Sequence, residues 1–326
     1  MPLVGLVLLV ALFAQLGPER ILSLLLSLGG NLLVIIAMFA CHECVRAVAL
    51  SRCLFPGHRP HFRQLLRIRF LGELAGALTR TGPFVAEPAR AWMLAGQAVH
   101  GAHAYGAAAG ELIANSCTSA LVTIVAIGFT LRTRALNGQL LALSQVLLWG
   151  SIAYLVVAVV ALAWRVHVIG AILRLARTLP LVGRRLRTDP IQVRQIEDAI
   201  MHALIDRPAT LVQVLLLEIL AQSILVFEIY WTIQSMGVAV SASTALLVEA
   251  LTKAANVVQF FGVTEAGYAV VFNWLGLTAA VGFTLSVVKL LRSLTASALG
   301  LGLLMQIDRR MRSRPRGVPS YTESPT

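Results

Sequence analysis

The chain has 326 residues, of which 58% are hydrophobic and only 13% are charged. Soluble domains carry about 25% charged residues, so this composition excludes an ordinary water-facing surface and a soluble catalytic domain of usual size. The net charge of +12 comes from arginines in short segments between apolar runs. This placement indicates membrane orientation and contact with anionic headgroups, and it argues against nucleic-acid binding.

Apolar runs that are long enough to cross a bilayer, or nearly so, recur along the chain. The shortest run lies at the N-terminus. A signal peptide has a basic segment before its apolar run, and this run has none, so we expect it to be retained as a membrane span. We therefore predict an all-α integral membrane protein, with one polytopic membrane domain at 1–308. About six full transmembrane helices are predicted, at Leu3–Leu16, Leu22–Leu50, Tyr105–Leu131, Leu140–Trp164, Leu211–Met236 and Thr278–Met305.

Two further apolar segments, 70–97 and 242–275, are interrupted near their middles by charged residues, glycines and turn signals. The arginine-rich regions 52–69, 165–207 and 309–326 should all be cytoplasmic, although Arg132 and Arg134 then fall outside. Each interrupted segment must therefore return to its starting face, either as a re-entrant hairpin or as two short crossings.

The two hairpins would then enter from opposite faces, and the chain would contain an inverted repeat. Repeat one covers about 22–131 and repeat two about 211–305. Inverted repeats with broken helices are typical of transporters whose binding site lies near the bilayer midplane. The connector 165–207 is predicted to be amphipathic, interfacial and broken at Pro180 and Pro190, with a solvated loop as the alternative. The basic tail 309–326 is predicted to be disordered.

The first interrupted segment places two carboxylates and two guanidinium groups around one bend. A charge near the bilayer centre costs at least about 2.5 kcal/mol, so four of them persist only if they are paired or face a wet cavity. The candidate pathway residues are Glu73, Arg80, Glu87 and Arg90, with Gly82 and Pro83 as the bend.

The second interrupted segment repeats this order of acid, cation, glycine bend and second acid. Glu249 and Lys253 are four residues apart, acid first, which is the favourable order for a helical ion pair. The candidates here are Glu249, Lys253, Asn256 and Glu265, with Gly262 as the bend and Lys289 and Arg292 on the following span.

Two interpretations of these charges stay open: structural ion pairs between helices, and a polar pathway that shelters a lipid headgroup. Other polar residues lie inside the predicted spans, among them His42, Glu43 and Arg46. For three more of them, Glu111, Glu218 and Glu228, the structural interpretation is favoured more strongly.

No catalytic constellation is found in the sequence. The residues Cys-His-Glu-Cys at 41–44 are consecutive, so on a helix their side chains point in different directions around the axis. They are therefore not expected to bind a metal together. There is no phosphate-cradling Gly-Lys-Ser/Thr loop. We therefore predict a protein that is not an enzyme and that has no metal or other cofactor.

The motifs resemble those of the lysylphosphatidylglycerol synthase transmembrane (flippase-like) family over roughly residues 1–308. The first motif runs from Gly72-Glu73 to Glu87-Pro88-Ala89-Arg90. The second is Phe261-Gly262-Val263-Thr264-Glu265-Ala266-Gly267, followed by Leu275-Gly276-Leu277 and Leu290-Leu291-Arg292. The resemblance implies a stand-alone flippase or scramblase domain, without the aminoacyl-transferase domain of full-length relatives. Stand-alone relatives are associated with moving lipids, hopanoids included, or lipid-linked sugars.

The expected function is therefore a lipid flippase- or scramblase-like transporter of an anionic, polyprenyl-linked or hopanoid-type lipid. The alternative is a non-transporting membrane subunit that scaffolds an enzyme of lipid or cell-envelope synthesis. The expected location is the bacterial inner membrane, with a cytoplasmic C-terminus. Membrane lipids, above all anionic ones, are the expected partners; a second copy of the chain and a lipid-biosynthesis enzyme are further candidates.

Overall fold

The computed structural model describes residues 17–55, 57, 59–79, 83–97, 99–133, 138–167, 170, 190–257 and 264–312. This part of the chain is helical and contains no strand. In chain order its helices are α1 (Pro18–Leu28), α2 (Asn31–Cys53), α3 (Phe62–Thr79), α4 (Pro83–Ala95), α5 (Gly101–Thr133), α6 (Gly138–Ala163), α7 (Pro190–Leu204), α8 (Pro208–Ser235), α9 (Ala242–Val257), α10 (Thr264–Trp274) and α11 (Ala279–Arg312).

Five of these helices are long and apolar enough to cross a membrane: α2, α5, α6, α8 and the Ala279–Gly300 part of α11. They confirm the all-α membrane fold and correspond to five of the six predicted spans. The predicted span Leu3–Leu16 lies outside the described residues. On α6, Val146, Trp149 and Val157 each expose more than half of their surface. A helix with such an outer surface is stable in lipid rather than in water.

The prediction of one continuous helix at Leu22–Leu50 is wrong. Helix α1 ends at Leu28 and α2 begins at Asn31. Between them Gly29 adopts a φ of 44°, a left-handed conformation that residues with a Cβ rarely adopt. The Gly29-Gly30 pair therefore interrupts the apolar run, and hydropathy alone does not register such a break.

Both interrupted segments form pairs of short helices, α3 with α4 and α9 with α10. Their bends fall at 80–82 and 258–263, outside the described residues. At 1.5 Å per residue the four helices are about 16 to 27 Å long, less than the roughly 30 Å of bilayer hydrocarbon. Helices α4, α9 and α10 are therefore too short for a full span, whereas α3 comes close to one.

The prediction that residues 52–69 form a cytoplasmic loop is wrong at its C-terminal end. Helix α3 already begins at Phe62, so Arg63, Arg67 and Arg69 are helical. Arg69 is completely buried. Its carboxylate partners on neighbouring helices, described below, explain why a guanidinium group is stable at this position.

The helices of the two predicted repeats pack in matching pairs. Helices α3, α4 and α5 of the first repeat correspond to α9, α10 and α11 of the second. Helix α3 contacts α11, and its counterpart α9 contacts α5. Helix α4 contacts α5, and its counterpart α10 contacts α11. Likewise α2 contacts α3 as α8 contacts α9, while α2 and α8 pack on each other. This correspondence fits two structurally equivalent units. The opposite orientation of the two units stays a prediction.

The connector and the tail are partly helical. Helix α7 begins at Pro190, where the connector was predicted to break, since proline is favoured at the first position of a helix. It packs closely on α5, with Ala199 against Gly106. Pro180 lies outside the described residues. Helix α11 continues to Arg312 and thus runs into the segment that was predicted to be a disordered tail.

Candidate functional site

Arg69 of α3 is the centre of a buried ion-pair cluster in the first unit. Its Nε lies 2.8 Å from Glu43 Oε2 on α2, and its Nη1 lies 3.1 Å from Glu111 Oε1 on α5. Arg69 and Glu111 are fully buried, and Glu43 nearly so. One guanidinium group thus connects three helices. Such a group stabilises its neighbours only while both carboxylates stay ionised and in place.

Arg46 of α2 extends the same cluster to α8 of the second unit. Its Nη2 lies 2.6 Å from Glu111 Oε1, and its Nε lies 3.6 Å from Glu218 Oε2. One helical turn before Arg46, His42 Nδ1 lies 3.2 Å from Glu43 Oε1. The cluster therefore joins α2, α3, α5 and α8 through charged side chains.

Arg90 of α4 closes the first hairpin by pairing with an acid on each of its arms. Its Nη2 lies 2.6 Å from Glu73 Oε1 on α3, and its Nη1 donates to Glu87 Oε1 on α4. The guanidinium group lies directly over Gly72, where any Cβ would overlap it. The Gly72-Glu73 pair therefore has a physical function, since glycine makes room for the arginine and glutamate binds it.

We expect Gly72→Ala to destabilise the protein by displacing Arg90 from its two carboxylates. A charged hydrogen bond is worth about 1.5–3 kcal/mol, which exceeds the roughly 1 kcal/mol that alanine gains over glycine in a helix. Thermal unfolding in detergent measures the effect. The matched control is Gly128→Ala on α5, whose new methyl group meets nothing within 4 Å and should leave stability equal or higher. Equal behaviour of the two variants would contradict the proposed contact.

The second unit has its own cluster, on α8, α9, α10 and α11. Glu249 of α9 lies 3.5 Å from Lys253 Nζ and 3.4 Å from Lys289 Nζ on α11, so the predicted Glu249–Lys253 pair forms. Lys289 Nζ also donates to Tyr268 Oη at 3.1 Å. On the next turn of α11, Arg292 pairs with Glu228 of α8. In these contacts three cations share two carboxylates.

An amide bridge joins α5 of the first unit to the second cluster. Lys253 Nζ donates to Gln222 Oε1 of α8 at 2.7 Å, and Gln222 Nε2 donates to Asn115 Oδ1 of α5 at 3.0 Å. Asn115 lies one helical turn after Glu111, and Gln222 one turn after Glu218, so both amides follow the acids on the same helix faces. The polar contacts therefore form two sets, from Arg69 to Glu218 and from Asn115 to Lys289, which one helical turn of α5 and of α8 separates.

The structure assigns the candidate residues of the sequence to these two clusters. Glu73, Glu87 and Arg90 meet in the first, and Glu249, Lys253, Lys289 and Arg292 meet in the second. Glu265 lies on α10 and forms no ion pair within the described part of the chain. Pro83 begins α4, and Asn256 lies in α9. The other candidates, Arg80, Gly82 and Gly262, lie outside the described residues.

Sequence reasoning missed two parts of the site. It assigned Arg69 to a loop, and it did not single out Asn115 or Gln222. The available signal for Arg69 was its spacing of four residues before Glu73 at the start of an apolar run. No signal was available for the amides, because uncharged polar residues are common in transmembrane helices.

Among the described residues no group of three or more His, Cys, Asp or Glu side chains could hold a metal ion.

The chain matches the family described as the lysylphosphatidylglycerol synthase TM region over residues 2–300. The chain belongs to this family. Membership confirms the resemblance seen in the motifs around Glu73 and Glu265, and it makes the protein a multi-pass membrane protein with a lipid-related role. The search of curated proteins and the search of solved structures gave no match.

Proposed function

We propose that this protein moves a lipid between the leaflets of the bacterial inner membrane, as a flippase or scramblase, and that it catalyses no reaction itself. The observation that carries the proposal is the line of polar side chains that runs from Arg69 in one unit to Lys289 in the other. Charged residues inside a membrane are expensive and mark substrate or ion pathways by default. A headgroup could exchange contacts along this line while its acyl chains remain in the bilayer.

The second cluster supports an anionic headgroup as the substrate. Among the described residues, two directly paired carboxylates balance its three cations. A phosphate group replaces a carboxylate well as the partner of a lysine or arginine. Lys253 is suited to first contact, because 22% of its side chain is exposed and it is already hydrogen-bonded to the amide bridge.

The family supports the lipid class, and the basic segments support the orientation. Membership in a lipid-related membrane family favours a phospholipid, a polyprenyl-linked lipid or a hopanoid-type lipid over a soluble substrate. Arg63 and Arg67 at the start of α3, with Arg309, Arg310 and Arg312 at the end of α11, favour a cytoplasmic C-terminus by the positive-inside rule.

Reconstituted liposomes test the proposal. Fluorescent analogues of phosphatidylglycerol, phosphatidylcholine and a polyprenyl phosphate are placed in both leaflets, and a membrane-impermeant quencher reports how fast the inner pool becomes accessible. We expect the protein to accelerate exchange of at least one anionic probe. Exchange no faster than in protein-free liposomes for all three probes contradicts the proposal. Copurification of a stoichiometric biosynthetic enzyme in that case would favour the scaffolding alternative.

A further inference from the structure

The first cluster contains more carboxyl groups than cations. Among the described residues, five glutamates share three arginines: Glu43, Glu73, Glu87, Glu111 and Glu218 with Arg46, Arg69 and Arg90. His42, if protonated, neutralises only one of the two extra acids. An unpaired buried carboxylate is so costly that the group takes up a proton instead. At least one carboxyl group in this cluster is therefore expected to be protonated.

Among these carboxyl groups, Glu218 has the weakest contacts that would stabilise a negative charge. It is completely buried, and neither of its oxygens accepts a hydrogen bond from a donor in the described part of the chain. Its nearest cation, Arg46 Nε, is 3.6 Å away and already donates to Glu111 at 2.8 Å. Arg46 therefore supports the Glu111 carboxylate first and Glu218 only weakly.

Glu111 and Glu218 also face each other. Their carboxyl groups are within hydrogen-bonding reach, and within the described residues no donor serves Glu111 Oε2 or either Glu218 oxygen. Two carboxylates cannot bond without a proton between them. One proton on Glu218 supplies the missing donor and leaves Glu111 ionised beside its two arginines.

We propose that Glu111 and Glu218 form a proton-binding site between the two units of the transporter. Glu111 belongs to α5 of the first unit and Glu218 to α8 of the second. With the proton bound, the acid pair and the neighbouring Asn115–Gln222 bridge hold α5 and α8 together. When the proton leaves, two carboxylates repel each other across this contact. Proton binding thus controls the contact between the units, and its use to drive lipid movement rests on the proposed function.

Charged and titratable groups on several neighbouring helices surround the pair. Around Glu111 and Glu218, α2 contributes Arg46, Glu43 and Cys53, α3 contributes Arg69, and α4 contributes Arg90 and Glu87. On the other side, Lys253 of α9 is held by Gln222 and Glu249, and Arg292 of α11 by Glu228. Helix α7 places the apolar Leu204 beside α5. The proton is therefore enclosed by paired charges.

Infrared spectroscopy of the purified protein tests the site without any transport assay. A protonated carboxylic acid has a C=O stretch that is distinct from that of a carboxylate and shifts in D2O. We expect this band in the native protein at neutral pH, with loss as the pH is raised. Glu218→Gln and Glu111→Gln should each weaken it, because the remaining acid of the pair is then ionised beside Arg46.

Two control variants separate this site from other acids. Glu249→Gln removes a buried glutamate that has two lysine partners, and Asp198→Asn removes an exposed acid, so the band should persist in both. Absence of the band from the native protein, or its undiminished intensity in both Glu218→Gln and Glu111→Gln, overturns the proposal. The native protein's own pH titration keeps the test valid if either variant fails to fold.

The pH dependence of stability gives a second readout with a defined sign. A folded state that binds an extra proton loses stability as the pH rises through the range in which that proton dissociates. The native protein should therefore melt at a lower temperature above the pH at which the band disappears. Glu218→Gln carries a neutral donor at this position and should lack that decrease. The same decrease in Glu218→Gln and in the native protein contradicts the proposed site.

Discussion

Arg69→Met should lower the free energy of unfolding by about 3–5 kcal/mol, the usual cost of removing one partner from a buried ion pair. Arg69 is fully buried, and without it His42 is the one direct ion-pair partner of the Glu43 carboxylate among the described residues. Glu111 keeps Arg46 but loses its second cation. Chemical or thermal unfolding in detergent measures the loss, and poor yield of folded protein is its expected sign in cells.

Two further variants identify the cause of this loss. Arg63→Met changes an exposed arginine at the start of the same helix and should stay within about 0.5 kcal/mol of the native protein. Adding Glu43→Gln to Arg69→Met removes the abandoned carboxylate and should restore part of the stability. If the double variant is no more stable than Arg69→Met, the loss does not come from an unpaired charge.

Lys253→Gln should slow leaflet exchange of an anionic lipid by about tenfold or more and should leave exchange of a zwitterionic lipid within about twofold. A hydrogen bond to a charged group is worth about 1.5–3 kcal/mol, which corresponds to about 10- to 150-fold in rate or affinity. Glutamine keeps a donor toward Gln222 and removes only the charge. The quencher assay in liposomes measures both rates in one preparation.

Arg165→Gln is the matched control for Lys253→Gln. It also removes one positive charge, but Arg165 is 60% exposed at the end of α6 and pairs with Asp206 outside the two clusters. Its exchange rates should equal those of the native protein. Equal slowing of both lipids by Lys253→Gln would indicate a structural role for the lysine instead of headgroup binding.

Hydropathy and charge were sufficient to predict the main features of the fold. Long apolar runs located α5, α6 and α8 to within a few residues. A transmembrane helix requires about 20 apolar residues, and few other structural elements contain so long an apolar run. The two pairs of short helices followed from charges and turn signals in otherwise apolar segments. The break at Gly29 could not be predicted, since an isolated glycine pair within an apolar run is compatible with a continuous transmembrane helix.

The site was predictable only within each hairpin. Glu249 and Lys253 pair as their spacing indicated, because residues four apart lie on one face of a helix. The contact between Arg46 and Glu111 joins positions 65 apart in the chain. The bridge between Asn115 and Gln222 joins positions 107 apart. No local pattern encodes such pairs, since they depend on how whole helices pack.

Photocrosslinking tests most directly whether a lipid headgroup reaches the charged line inside the protein. An anionic phospholipid with a photoreactive group in its headgroup is mixed with the protein in liposomes, illuminated, and its adducts are located by mass spectrometry. We predict adducts on α9 and α11 around Lys253 and Lys289, and fewer of them in Lys253→Gln. Adducts confined to the helix ends and the arginine-rich segments would contradict a headgroup pathway through the protein.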